Sequence, residues 1–126
     1  MIDDFIAYLK SELSMPVLYA HTTDPVEDAS TEMPIVLVYP GSLSADPSQV
    51  DNFVRQQITL QLVCLVACDI AQYDTQLLAL RSAAIGWTRD EYTDAAELES
   101  SETVDVKGRY IWVREVYSIQ YHITET

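Results

Sequence analysis

The sequence predicts an α+β fold: an antiparallel sheet of four to five strands with two helices on one face, in the order α-β-β-β-α-β-β. Three observations carry that expectation. The opening stretch MIDDFIAYLKSEL places its apolar residues at helical spacing. A long alternating run from residue 53 to 68 leads directly into a second helical pattern. The stretch ETVDVKGRYIWVREVYSIQY near the end reads as two strands joined by a tight turn. Helices that flank paired strands, instead of alternating with them, collect on one face of the sheet.

In the first helix, Ile2, Phe5, Ile6, Leu9 and Leu13 make one apolar stripe. Asp3 and Asp4 occupy its first turn, where the helix dipole favours anions, and Pro16 stops it. Residues 17–20 suit a short strand, followed by an acidic loop holding Pro25 and Pro34. Residues 35–39 form a compact β-branched run that Pro40-Gly41 closes as a turn.

The 53–68 strand has two unlike faces. Val54, Ile58, Leu60, Leu62, Cys64, Val66 and Cys68 share one, interrupted only by Gln56. The other begins polar with Arg55, Gln57, Thr59 and Gln61, then turns apolar with Val63, Leu65 and Ala67. A strand apolar on both faces at one end needs cover there. Asp69 is placed to cap the next helix, with Gln72 completing a capping box. Ile70, Tyr73, Leu77, Leu80 and Ala84 form its stripe, and Gly86 suits a left-handed C-cap.

The last two strands span residues 98–106 and 110–124, with Lys107-Gly108 as the turn. Glu115 stands among Ile111, Val113, Tyr117 and Ile119, which implies either a bulge or a pairing with Arg109 or Arg114. Tyr110 and Trp112 face the other way, where no helix is left to cover them.

Composition bounds the function classes. At 126 residues and 48% hydrophobic, the chain suits one globular domain, residues 1–126. No apolar run reaches the roughly 18 residues of a membrane span. The acidic, amphipathic N-terminus is unlike a signal peptide, so the expectation is a soluble, cytosolic chain. Seven bases against twenty acids give a net charge of −13. Such a surface repels phosphate backbones and argues against duplex binding through basic contacts. It serves either as a solvated face or as one that must not stick to nucleic acid, or that meets a basic partner.

Chemical motifs are missing. Gly41, Gly86 and Gly108 stand alone, so no glycine-rich phosphate loop is present. Neither a Gly-x-Ser-x-Gly nor a His-Glu-x-x-His occurs. Asp90-Glu91 and the following carboxylates lack calcium-loop spacing. His21 has no nucleophile partner, and His122 falls on the less covered face of the last strand. Cys64 and Cys68 lie on one strand face about 13 Å apart, too far for a disulfide, and read as buried free thiols. The expectation is a protein without enzymatic activity, cofactor or metal.

The order of elements, the helix ending in Gly86-Trp87, the segment Asp51-Asn52-Phe53-Val54-Arg55-Gln56 leading into a long strand, the acidic strand and the aromatic final strand resemble the tail terminator proteins of tailed bacteriophages. The resemblance covers nearly the whole chain. It implies a structural virion protein at the neck end of the tail, assembled in the host cytoplasm. Such proteins form a hexameric ring on the last ring of tail tube protein and end tail polymerisation. They then offer a docking surface to a head-tail connector or neck protein, with the sheath protein as a further partner. DNA passes through without specific binding.

Placed on this sequence, that assembly gives Leu43 and Val50 of the 41–52 loop, with Phe53 directly after it, to an intersubunit or tube-facing contact. The half-covered Val63, Leu65, Tyr110 and Trp112 become further interface positions. Glu97, Glu99 and Asp105 share strand parity and become candidates for the lumen wall, with Glu102 nearby. Two other classes compete: an acidic DNA mimic that inhibits a nucleic-acid enzyme, and a small enzyme whose site no motif encodes.

Overall fold

The computed structural model describes residues 1–20, 33–47, 54–91 and 93–125. The elements follow the predicted order. Helix α1 (Ile2–Glu12) is followed by strands β1 (Val17–Tyr19), β2 (Ile35–Ala45) and β3 (Val54–Asp69). After a 3-10 turn at Ile70–Gln72 come helix α2 (Tyr73–Ala84) and strands β4 (Glu97–Lys107) and β5 (Tyr110–Glu125). The strands form one sheet in the order β1-β2-β3-β5-β4. The fold is α+β, but the sheet is mixed: β1 runs parallel to β2, and the other pairings are antiparallel.

Both helices bury their stripes on one sheet face. Phe5, Ile6 and Leu9 of α1 and Leu77, Leu80, Ala83 and Ala84 of α2 close over Val36, Val38, Leu62, Cys64, Val66, Val113, Tyr117 and Ile119. Ile70 is an exception to the predicted stripe. It is 45% exposed because the chain enters α2 through the 3-10 turn, which swings that residue outward. The Asp69 carboxylate caps this turn by accepting from the Ala71 N–H at 2.9 Å. Gln72 then stands at the start of α2 with no side-chain cap bond, so the capping box does not form.

Three local features differ from the expectation. The strand that begins at Ile35 does not turn at Pro40-Gly41; it continues to Ala45 through a shift in register between Pro40 and Leu43. Proline is tolerated because β1 pairs only as far as Val38, leaving its position at an edge with no partner strand among the described residues. Gly41 is needed there: a Cβ would sit 2.8 Å from the Gln61 Cβ. The β4–β5 turn is Gly108-Arg109, one residue later than expected. Gly108 has φ +60° and Arg109 is not in the positive region, which fits a type II′ turn.

Glu115 is the third. It sits in unbroken register opposite Cys64, so no bulge forms there, and it pairs neither with Arg109 nor with Arg114. Its partner is Arg81, reaching down from α2: Nε donates to one carboxylate oxygen at 2.6 Å and a terminal nitrogen donates to the other at 3.1 Å. Arg114 instead pairs with Glu102 across the β4–β5 ladder, and Arg109 with Asp69.

Past α2, Gly86 adopts φ +89°, the left-handed conformation expected of the residue that follows a helix. The chain then hooks onto the start of β4 through reciprocal bonds between Gly86 N–H and Ala96 C=O at 2.8 Å and between Ala96 N–H and Trp87 C=O at 2.7 Å. Trp87 is thereby set against α1, its ring 5.1 Å from Phe5 and 6.1 Å from Tyr8.

Candidate functional site

The second face of the sheet, away from the helices, divides along the strands. At one end Ile35, Leu37, Leu65, Ala67 and Trp112 form a buried cluster, with Tyr39 and Tyr110 at its margin. The apolar half of β3 is therefore covered, as its composition requires. This corrects the assignment of Val63, Leu65 and Trp112 as half-covered interface positions. They are 5%, 1% and 3% exposed, and Leu65 and Trp112 are occupied by this cluster. Tyr110 keeps partial exposure, with the Arg109 guanidinium 5.3 Å over its ring. The Trp112 indole N–H is buried and finds no acceptor among the described residues.

At the other end the face is polar and half-exposed. A chain of bonds crosses it from β2 to β4. The Ser42 hydroxyl donates to Gln61 Oε1 at 2.9 Å, and Gln61 Nε2 donates to Glu99 at 2.8 Å. That second bond passes over β5 at Ser118, the residue paired with Gln61, whose side chain is short enough to be bridged. Gln57 and Gln120 bond to each other at 2.6 Å farther along the same face. Between the two regions a cleft of about 340 Å³ opens, lined by Tyr39, Gln61, Val63, Glu102, Arg114 and Val116.

β4 forms the acidic border of this face. Its register with β5 shifts between Leu98 and Ser100 and again between Thr103 and Asp105. Simple alternation would put Glu97, Glu99 and Asp105 on one side together with Ser101 and Thr103. The two bulges change the set. Glu97, Glu102 and Asp105 lie opposite Ser118, Arg114 and Trp112 on the second face, and Glu99 reaches over that face to Gln61. Ser101 and Thr103 lie opposite Glu115 and Val113, on the helix side. The candidate lumen acids thus do share a face, and Glu102 joins them. Arg114 pairs with Glu102 and Lys107 lies 3.6 Å from Asp105, so half of the row carries a cationic neighbour.

Of the other predicted contact residues, Leu43 is 57% exposed on the β2 extension. Val50, Phe53 and His21 lie outside the described residues. His122 is exposed on the polar end of the second face, opposite Gln57.

Several titratable groups of the interior are shifted by burial or by their neighbours. Both cysteines are buried free thiols. Burial, and then the nearby Glu115 carboxylate, pushes the Cys64 thiol far above the usual range. Burial raises the Cys68 thiol too, with Asp69 adding to it. The Tyr117 hydroxyl is pushed up by burial first, then by Cys64 and Glu115, and makes no well-aligned hydrogen bond. The bond to Glu115 holds the Arg81 guanidinium more firmly protonated still. Among the described residues no group of three or more His, Cys, Asp or Glu converges as a metal ligand set, and no helix is long and apolar enough to cross a membrane.

No known protein family matches this chain, and no curated protein matches it.

Proposed function

We propose that this protein is a tail terminator of a tailed bacteriophage. It closes as a ring on the last ring of tail tube protein, stops tube growth and presents a docking surface to the head-tail connector or neck protein. The observation that carries this reading is the division of the sheet. One half is packed on both faces, and beyond it an uncharged strand extension and an acid-bordered edge strand on opposite sides have no further strand partner among the described residues. A subunit built with two unlike open edges suits heterologous contacts, which give rings when the rotation closes.

The test is tail length. Particles made without this protein should carry overlong tails that fail to join heads, and purified protein added back should cap them. Tails of normal length joined to heads in its absence would refute the proposal.

The acidic border has a place in this scheme. DNA crossing the ring meets the row of Glu97, Glu99, Glu102 and Asp105, and repulsion keeps the genome sliding instead of sticking. Changing Glu97, Glu99 and Asp105 together to Lys is expected to leave particles assembled but to slow or block DNA ejection. Ejection at the normal rate from such particles would put this face on the outside of the ring.

The row of carboxylates also favours, more weakly, an acidic DNA mimic. The Arg114 and Lys107 partners count against it, because they break what would have to be a continuous phosphate-like pattern.

A further inference from the structure

The two open edges of the sheet match each other. β1 stops pairing at Val38, so, among the described residues, positions 43–45 of β2 are bonded to β3 on one side only. This arm is uncharged and exposed throughout. Leu43 and Ala45 lie opposite Leu60 and Ile58 on the helix side of the sheet, and Ser44 lies opposite Thr59 on the polar side.

At the far edge, residues 100–103 of β4 keep an unbroken register between the two bulges. Ser101 and Thr103 are on the helix side there, and Glu102 is on the polar side. Arg81 reaches from α2 to the Ser101 hydroxyl at 3.2 Å. Leu78, three residues before Arg81 on α2, and Ile85, the residue that ends the helix, are 67% and 50% exposed. The bulge residue Val104 adds a further exposed apolar side chain, at 40%. Between its bulges the edge strand thus carries hydroxyl side chains on the helix side and a carboxylate on the other.

We propose that the ring closes by strand addition between copies of this chain: the β2 arm of one copy pairs antiparallel with β4 of the next, setting Ser44 opposite Glu102, Leu43 opposite Thr103 and Ala45 opposite Ser101. The inference rests on the ring in the reading above and names the surfaces that meet. Three arguments support it.

The faces agree: Leu43 and Ala45 fall on the helix side together with Thr103 and Ser101, and Ser44 falls on the side of Glu102, so that its hydroxyl donates to that carboxylate. The charges select the pairing, since β4 against β4 would set carboxylates opposite carboxylates, which destabilises a ladder, whereas the arm is neutral. The geometry closes as well. Ser44 is level with Gln120 of β5, and Glu102 with Arg114, six positions away. That is a shift of about 20 Å along the strands for four strand spacings of about 19 Å across them. A closed ring then needs strands inclined by about 45° to its axis, at the upper end of the range for closed barrels. At this register the neighbour's β1 ends level with the Gly108-Arg109 turn, and β4 fills the notch left by so short a first strand.

The test uses a Ser44→Cys/Glu102→Cys double variant, oxidised in purified form and on tail tubes. Cys64 and Cys68 are buried and do not compete. The expected product is a covalent ladder ending in one closed species, with Ser44→Cys alone giving no cross-link. Cross-linked dimers of Ser44→Cys alone would mean two-fold arm-to-arm pairing and overturn the proposal. Rings of wild-type protein, seen by native mass or in particles, without cross-linking of the double variant would overturn the edge pairing and leave the ring reading standing. Absence of any ring, free or on tubes, would overturn both. Leu43→Asp, which would bury a charge on the helix side of the seam, is expected to give a folded subunit that no longer forms rings.

Discussion

Replacing Arg81 with alanine is expected to destabilise the protein by about 3 kcal/mol, seen as a lower denaturant midpoint with an unchanged slope. Glu115 is fully buried, and Arg81 supplies both of its strong hydrogen bonds, at 2.6 and 3.1 Å. Removing one member of such a pair leaves an uncompensated charge in the core, which costs about 3–5 kcal/mol in comparable cases. The lower end applies because the Arg81 side chain is 36% exposed and water can follow into the space it leaves. Changing both residues to methionine should recover most of the loss, since an apolar pair of similar volume asks for no desolvation of charge. A loss under about 1 kcal/mol for Arg81→Ala would show that Glu115 is hydrated or neutral in the folded protein.

Phe5→Ala is expected to cost about 3–5 kcal/mol and to lower the melting temperature by about 10 °C or more. Its ring is 0% exposed and is held 5.1 Å from Trp87 and 6.4 Å from Tyr117. An 11-residue helix is marginal in isolation, so α1 holds its shape by packing this stripe. Losing the central ring leaves a cavity beneath the helix and frees Trp87 on one side. Tryptophan emission should therefore shift to longer wavelength before the main unfolding transition. A stability change below about 1 kcal/mol would mean that the site collapses around the alanine.

Much of the fold was legible because its signals are local. Phe5, Ile6 and Leu9 carry helical spacing, β3 alternates over its length, and Gly86 and Gly108 stand where the backbone turns positive. The misreadings arose where a contact distant in sequence overrode a local rule. Pro40-Gly41 reads as a turn, yet pairing with Leu62 and Leu60 on either side of the shift carries the strand through. Glu115 reads as a defect among apolar neighbours because its cation comes from α2, 34 positions earlier. Val63, Leu65 and Trp112 read as waiting for a partner, and the chain buries them itself.

The candidate site divides in the same way. Acid content along β4 is written in the sequence, but which acids share a face is not, because each bulge reverses the alternation that follows it. The edges of the sheet are invisible in one dimension, since strand order depends on pairings between residues far apart.

By itself, then, the sequence determined the order of elements, the helix stripes, the apolar alternation of the long strands and the strong negative charge. Each of these follows from residues within a few positions of one another, where backbone sterics and side-chain periodicity act directly. Only the tertiary structure decided the parallel β1, the partner of Glu115, the set of acids on the second face and the two open edges. Those depend on which strands become neighbours and on where the register slips, and both are settled by packing across the whole sheet.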